Sequence, residues 1–154
     1  MRDINFRGKR LDNRELVYGH YFCLKHNDDR VHLHHFIIPI GTPMPKGRPI
    51  GEIQIEVIPE TVGQYTGLKD KNGVEIYEGD IVKVTDDNDE ISELNSDTGI
   101  GAIEWLDKWG FWNISRIENS LGDINNSYDI EVIGNVHGES SVFIVSNERG
   151  DLLG

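Results

Sequence analysis

Five of the six histidines crowd into one short stretch, at His20, His26, His32, His34 and His35. His32 and His34 are two apart, which on a strand puts both imidazoles on one face, a spacing that suits a strand-borne metal pair. A complete site needs a third and a fourth ligand, and neither a cysteine pair nor an HExxH helix accompanies them. No metal is therefore expected, and whether the five histidines meet in space stays open. Cys23 sits in Tyr21-Phe22-Cys23-Leu24 and is expected as a small buried hydrophobe, since a reactive thiol needs cationic surroundings. The run Asp86-Asp87-Asn88-Asp89-Glu90 resembles a calcium loop at first sight. An EF-hand loop wants Gly at its sixth position and Glu at its twelfth, where this chain has Ile91 or Ser92 and Asp97 or Thr98. A solvated, floppy loop is expected there instead. Neither a GxSxG elbow nor a GxxxxGK[ST] loop occurs, so no catalytic residue, no cofactor and no enzyme is predicted.

Trp105, Trp109, Phe111 and Trp112 form the other concentration of chemistry. Aromatics at strand spacing are expected to fill a core. The functional alternative is a platform on which a sugar or base stacks.

The elements that must position these groups are strands. Ile4 and Phe6 alternate with polar neighbours, with turn candidates at Gly8 and Asp12-Asn13. The five basic residues among the first fourteen suggest a solvated, edge-protecting strand, the alternative being an arm that docks on an acidic surface. Leu16 to Leu24 suits one strand, or two meeting at a bulge at Gly19. His26-Asn27-Asp28-Asp29 is expected as a loop, and Val31 to Ile40 returns to strand character. Prolines 39, 43, 45 and 49 make residues 39–50 a long exposed loop. The clearest period of two runs from Gly51 to Ile58, with Ile53, Ile55 and Val57 on one face. Asn72-Gly73 predicts a two-residue hairpin turn between Gln64–Leu68 and Val74–Tyr77, because both residues tolerate positive φ. Glu78-Gly79-Asp80 then admits the strand Ile81–Val84. Gly99–Leu106 and Trp109–Ile114 read as a hairpin about Asp107-Lys108, or a longer loop. One helical turn is expected at Ser115–Leu121, stopped by Gly122. Tyr128–Val136 should close a barrel, and Val142–Val145 adds a short apolar run.

Charge divides the chain at about Pro59. Residues 1–60 hold nine Lys and Arg against eight acids, and residues 61–154 hold six against nineteen, which sums to the net charge of -12. The acidic second part repels phosphate, so nucleic acid is an unfavoured partner there. A lone cysteine and the absence of any run near the ~18 apolar residues of a membrane span point to a cytoplasmic location and no membrane.

FRGKRLDN at residues 6–13 with Tyr18-Gly19, VGQYTGLKDKNGVEIYEGDIV at residues 62–82 and IEVIGN at residues 130–135 together resemble the YopX family of phage and prophage proteins. The resemblance implies a small, mostly β protein of a temperate phage or prophage, made in the host cytoplasm. It brings no established activity, and so no functional residues to transfer. Two departures stand out. His137-Gly138-Glu139 and an extension to Gly154 replace the Asn-Pro-Glu-Leu type ending frequent in the family, and Arg14-Glu15-Leu16 stands where Gly-Glu-Trp is common.

The expected architecture is all-β in two lobes. Residues 1–60 form an N-terminal β-sheet lobe carrying the proline-rich loop. Residues 61–154 form an SH3-like small β-barrel with the acidic loop 86–98 and a C-terminal extension, and the first lobe packs on it. Gly79-Asp80-Ile81-Val82-Lys83-Val84 resembles the strand entry of many such barrels, in which a Gly-Asp turn precedes an apolar strand. The expected role is a non-catalytic binding or assembly module that forms a homo-oligomer or binds a host or phage protein. The alternatives are a nucleic-acid binder acting through the basic N-terminal segment, and an acidic nucleic-acid mimic that captures a host protein.

Overall fold

Alternating β-branched and aromatic residues produce antiparallel strands along most of the described residues, among which there is one short α-helix. The computed structural model describes residues 3–26, 29–43, 46–47 and 49–138. Of the loop expected at residues 26–29, His26 and Asp29 instead pair as strand residues, because the two flanking strands run on to the turn. Asn27 and Asp28, the run Val142–Val145 and the C-terminal extension from residue 139 lie outside the described residues. The chain divides between Tyr65 and Thr66 into two compact units.

In the first unit β1 (Phe6–Lys9), β2 (Leu16–His26), β3 (Asp29–Pro39) and β4 (Ile55–Glu56) lie in the order β4-β3-β2-β1. On the far side of β1, Phe6 and Arg7 pair with Gln64 and Gly63 at the start of β5 (Gly63–Lys69). β1 is thus an interior strand, and the expectation of a charged, edge-protecting strand is overturned. Gly8 lies inside β1 rather than at a turn, facing Val57, Val62 and Ile37. The turn falls at Leu11–Asn13, where Arg14 N–H donates to the Arg10 carbonyl. β2 runs through Gly19 without the predicted bulge: the register holds from Gly19↔Pro39 to Lys25↔Leu33. A side chain at residue 19 would strike the Ile38 carbonyl, so glycine is what lets β2 and β3 approach there.

The strongest alternation in the sequence, Gly51 to Ile58, yields only a two-residue strand. A 3-10 turn takes Ile50–Glu52, and the segment then leaves β3 for the end of β1. Val57 N–H donates to the His35 carbonyl, Leu11 N–H donates to Glu56, and Arg10 and Val57 form an isolated bridge. The sheet curls back on itself at this point. Its inner face buries Val17, Ile37 and Val57, with Phe6, Tyr21, Ile55 and Val62 packed against them.

In the second unit the loop after β5 is longer than predicted. Gly73 has φ +82°, but Asn72 is not left-handed, and Asp70 organises the turn instead. Its Oδ1 accepts from the N–H groups of Asn72 (2.8 Å) and Val74 (2.9 Å), and its Oδ2 accepts from Val132 N–H (2.9 Å). One buried carboxylate thereby ties the loop to β10 (Asp129–Asn135). After β6 (Glu75–Tyr77), Asp80 at the start of β7 (Asp80–Thr85) accepts from Tyr77 N–H at 2.7 Å, closing the expected Glu78-Gly79 turn.

β10, β7, β8 (Gly99–Leu106) and β9 (Phe111–Ile114) form a four-stranded sheet in that order. β9 and β10 stand at opposite edges, so β10 does not close a barrel as expected. One face packs Ile76, Val82, Val84, Ile103, Ile114, Ile117 and Ile130 against Leu121 and Ile124 of α1 (Leu121–Ser127). The helix begins where the sequence reading ended one. Ser120 caps it by accepting from Asp123 N–H, and Gly122 lies in its first turn rather than stopping it. Gly, Asp, Asn and Ser are poor helix formers, so the two buried aliphatic side chains, each contributing about 1.5–3 kcal/mol, hold it in place.

Candidate functional site

The largest difference from expectation lies in the β8–β9 hairpin. Its register pairs Ile103 with Ile114, Glu104 with Asn113, Trp105 with Trp112 and Leu106 with Phe111. Ser115 N–H donates to the Ala102 carbonyl at 2.9 Å, which fixes the phase of the ladder. By alternation Glu104/Asn113 and Leu106/Phe111 exchange the backbone bonds, while Ile103/Ile114 and Trp105/Trp112 are the closely spaced pairs whose N–H and C=O groups point outward. Two further contacts agree. Gly79 N–H donates to the outward Ile103 carbonyl at 2.9 Å, and the Trp105 and Trp112 rings meet edge to face at 4.9 Å.

Ile103 and Ile114 are 2% and 0% exposed, yet one step further along the same face Trp105 is 42% exposed. At the tip Trp109 is 64% exposed, and Phe111 on the opposite face 39%. The prediction that the tryptophans fill the core is therefore overturned. The physical reason is the length of β7: its register with β8 ends at Ile81↔Ala102, and beyond Ile103 the hairpin runs on without a strand on that side among the described residues. Aliphatic side chains already occupy the core, and Trp112 only packs against its margin.

The tip is a four-residue turn, as the longer-loop reading allowed. Leu106 O accepts from Trp109 N–H (3.1 Å) and Gly110 N–H (2.7 Å), with Gly110 at φ +72°. Lys108 Nζ stands 5.3 Å from the Trp109 ring centroid, so one indole face already holds a cation. On the other face Asn113 donates to Glu104 Oε2 at 2.9 Å. The hairpin thus offers exposed π surfaces and carboxylates and, among the described residues, an unpaired sheet edge and no nucleophile poised beside a base.

The described histidine side chains do not converge. His34 Nδ1 lies 2.9 Å from Glu56 Oε2, joining β3 to β4. His35 Nδ1 lies 2.6 Å from Tyr21 Oη, with the two rings stacked. Being adjacent in one strand, the two imidazoles serve opposite faces, while His20 and His32 are exposed; the side chain of His26 lies outside the description. Among the described residues no three His, Cys, Asp or Glu side chains gather to hold a metal. Loss of solvation, and secondarily the charge of a Cys23 thiolate, push the Tyr21 phenol above its usual value. Cys23 is exposed, correcting the expectation of burial: β2 has passed the margin of the Val17–Ile37–Val57 cluster by that residue.

The acidic loop is more ordered than its composition predicts. Asp86 Oδ1 accepts from Asn88 N–H (2.9 Å) and Glu90 N–H (3.0 Å), and Asp97 takes both its oxygens to Asn119 Nδ2. In the basic N-terminal segment Arg7 is buried, and Arg10 donates to both oxygens of Asp12 at 2.9 and 2.8 Å. That pairing holds the Asp12 carboxyl below its usual range.

The family described as YopX protein matches residues 5–143. Among solved structures, the crystal structure of protein EF1440 from Enterococcus faecalis is similar, with a TM-score of 0.51 and 26% identity, over 89% of this chain and 95% of that one. Nothing among curated proteins matches. No described helix is long and apolar enough to cross a membrane.

Proposed function

The chain belongs to the YopX family, and from that premise we propose that it is a non-catalytic binding or assembly module that forms a homo-oligomer. The observation that carries this reading is a stripe on one face of β2. Leu16, Tyr18, His20 and Leu24 are all exposed on it, with the half-buried Lys9 of β1 directly across from Leu16. An apolar and basic stripe on one copy suits the acidic second unit of another, whose sequence from residue 61 holds nineteen acids against six bases. Such head-to-tail contacts build rings or filaments. The phage origin and cytoplasmic location implied by the resemblance belong to the same proposal. Light scattering at high protein concentration and low salt should return a multiple of the chain mass, reduced to one chain by Tyr18→Glu with Leu24→Glu. A single-chain mass throughout would sink the reading.

The charge imbalance also favours a second reading, that the acidic unit mimics a nucleic acid and captures a basic host or phage protein. Direct binding of nucleic acid through the N-terminal segment has less support, since Arg7 is buried and Arg10 is engaged by Asp12.

A further inference from the structure

The two edges of the four-stranded sheet are finished in opposite ways. β10 carries Asp129 and Glu131 and is interrupted by a bulge between Val132 and Gly134, features that discourage another strand from adding. β9 reads Phe111-Trp112-Asn113-Ile114, with no charge and no proline, and its register with β8 is unbroken. Trp112 directs its N–H and C=O to the open side, as the ladder phase requires. Phe111 on this edge strand is exposed, Trp109 is exposed at the adjoining turn, and the exposed Trp105 lies one strand further in, across from Trp112.

From this geometry we infer that the β9 edge is an augmentation site for an extended, cationic segment of a basic partner protein. The backbone edge supplies strand pairing, and alternate side chains of the added strand fall beside Trp112 on one face, where a long cationic side chain can reach on toward Trp105, and beside Phe111 on the other. Charge selects the occupant. Residues 61–154 carry nineteen acids against six bases, with Glu104 and Asp107 on the hairpin itself, so an acidic segment is repelled and an arginine-bearing one attracted. Lys108 over Trp109 shows the interaction in miniature, and an incoming guanidinium can take its place. The inference deepens the second reading above, of an acidic unit capturing a basic protein, and does not depend on self-assembly.

The test uses the full chain and two short peptides, one alternating arginine with valine and one alternating glutamate with valine. By calorimetry the arginine peptide should bind about tenfold or more tightly than the glutamate peptide. Its binding should weaken as salt shortens the Debye length from about 30 to about 8 Å. Binding should slow amide hydrogen exchange at Trp112. Trp105→Ala with Trp109→Ala should weaken it about tenfold, and Phe111→Lys, which places a guarding charge on an exposed edge position, should weaken it similarly with the far-UV spectrum unchanged. Equal binding of the two peptides, unchanged exchange at Trp112, or indifference to these variants would overturn the inference. So would a Trp112 amide already protected by self-association in concentrated, peptide-free protein. Light scattering on the same samples separates the readings: a monomer that binds the arginine peptide sinks the oligomer alone, and an oligomer that ignores it sinks this one alone.

Discussion

In the β2–β3 hairpin, rings of strong chemical potential are drawn into pairs: Tyr21 with His35, Phe22 with Phe36 at 5.5 Å, and His34 with Glu56 of β4. In the β8–β9 hairpin the indoles meet one another at Trp105 and Trp112, and still Trp105 and Trp109 stand largely exposed. Both are antiparallel and aromatic, so residue type does not separate them. Neighbours do. β3 has β4 beyond it at Phe36 and Ile37, and Phe6 at the end of β1 reaches the Tyr21 ring at 5.3 Å, whereas among the described residues β8 past Ile103 has no strand beside it and β9 is an edge. A side chain's fate in a sheet is thus set by how far the adjacent strand extends, a quantity that no local pattern in the sequence carries.

That contrast can be broken most directly within the second hairpin. Ile114→Ala should lower stability by about 2–5 kcal/mol, because the cavity opens among Val82, Ile103 and Leu121. Trp105→Ala, one register step along the same face, should cost about 1 kcal/mol or less despite deleting a larger ring. Urea unfolding of the two variants decides the matter, and equal losses would mean that the tip is covered. In the first hairpin the corresponding sensitivity is to bulk between strands. Gly19→Ala should cost about 1–3 kcal/mol by driving Cβ against the Ile38 carbonyl, with no such cost for Ala at Gly122, which faces open space.

How much of this was legible beforehand depends on the range of the signal. The strands from Leu16, Val31, Ile81 and Gly99 followed from apolar and aromatic runs bounded by turn residues, because those signals are local. The YopX likeness was legible in three motifs. What was missed required partners distant in sequence. Gly51–Ile58 has a perfect period, but the sheet's curl gives its edges to β3 and to residues 9–11 in turn. Asp70 bonds Val132, sixty-two residues away, although the Asp-x-Asn-Gly spacing could have flagged its local half, the Asx turn. α1 lay hidden because Leu121-Gly122-Asp123-Ile124-Asn125-Asn126-Ser127 has poor propensity, and only Ser120 three before Asp123 announced a cap. The exposed tip of β8–β9 could not be read from its own residues at all.

The smallest expected effect concerns the first hairpin's tightest pair. Tyr21→Phe should cost about 0.5–1.5 kcal/mol near neutral pH, the worth of the hydrogen bond to His35. Its more telling signature is at high pH. Loss of solvation and the nearby Cys23 charge raise the phenol's pKa in the fold above the value of about 10 that it has in the unfolded chain. A raised folded value means that the unfolded chain gives up its proton first, so the associated stability is complete below about pH 10 and disappears as pH rises through the folded value. The wild-type chain should therefore lose stability faster than Tyr21→Phe across that window. Denaturant midpoints for the pair, measured on both sides of pH 10, should converge as the bond to His35 is spent, and curves that stay parallel would show that Tyr21 is as open to solvent as the tryptophans of the other hairpin.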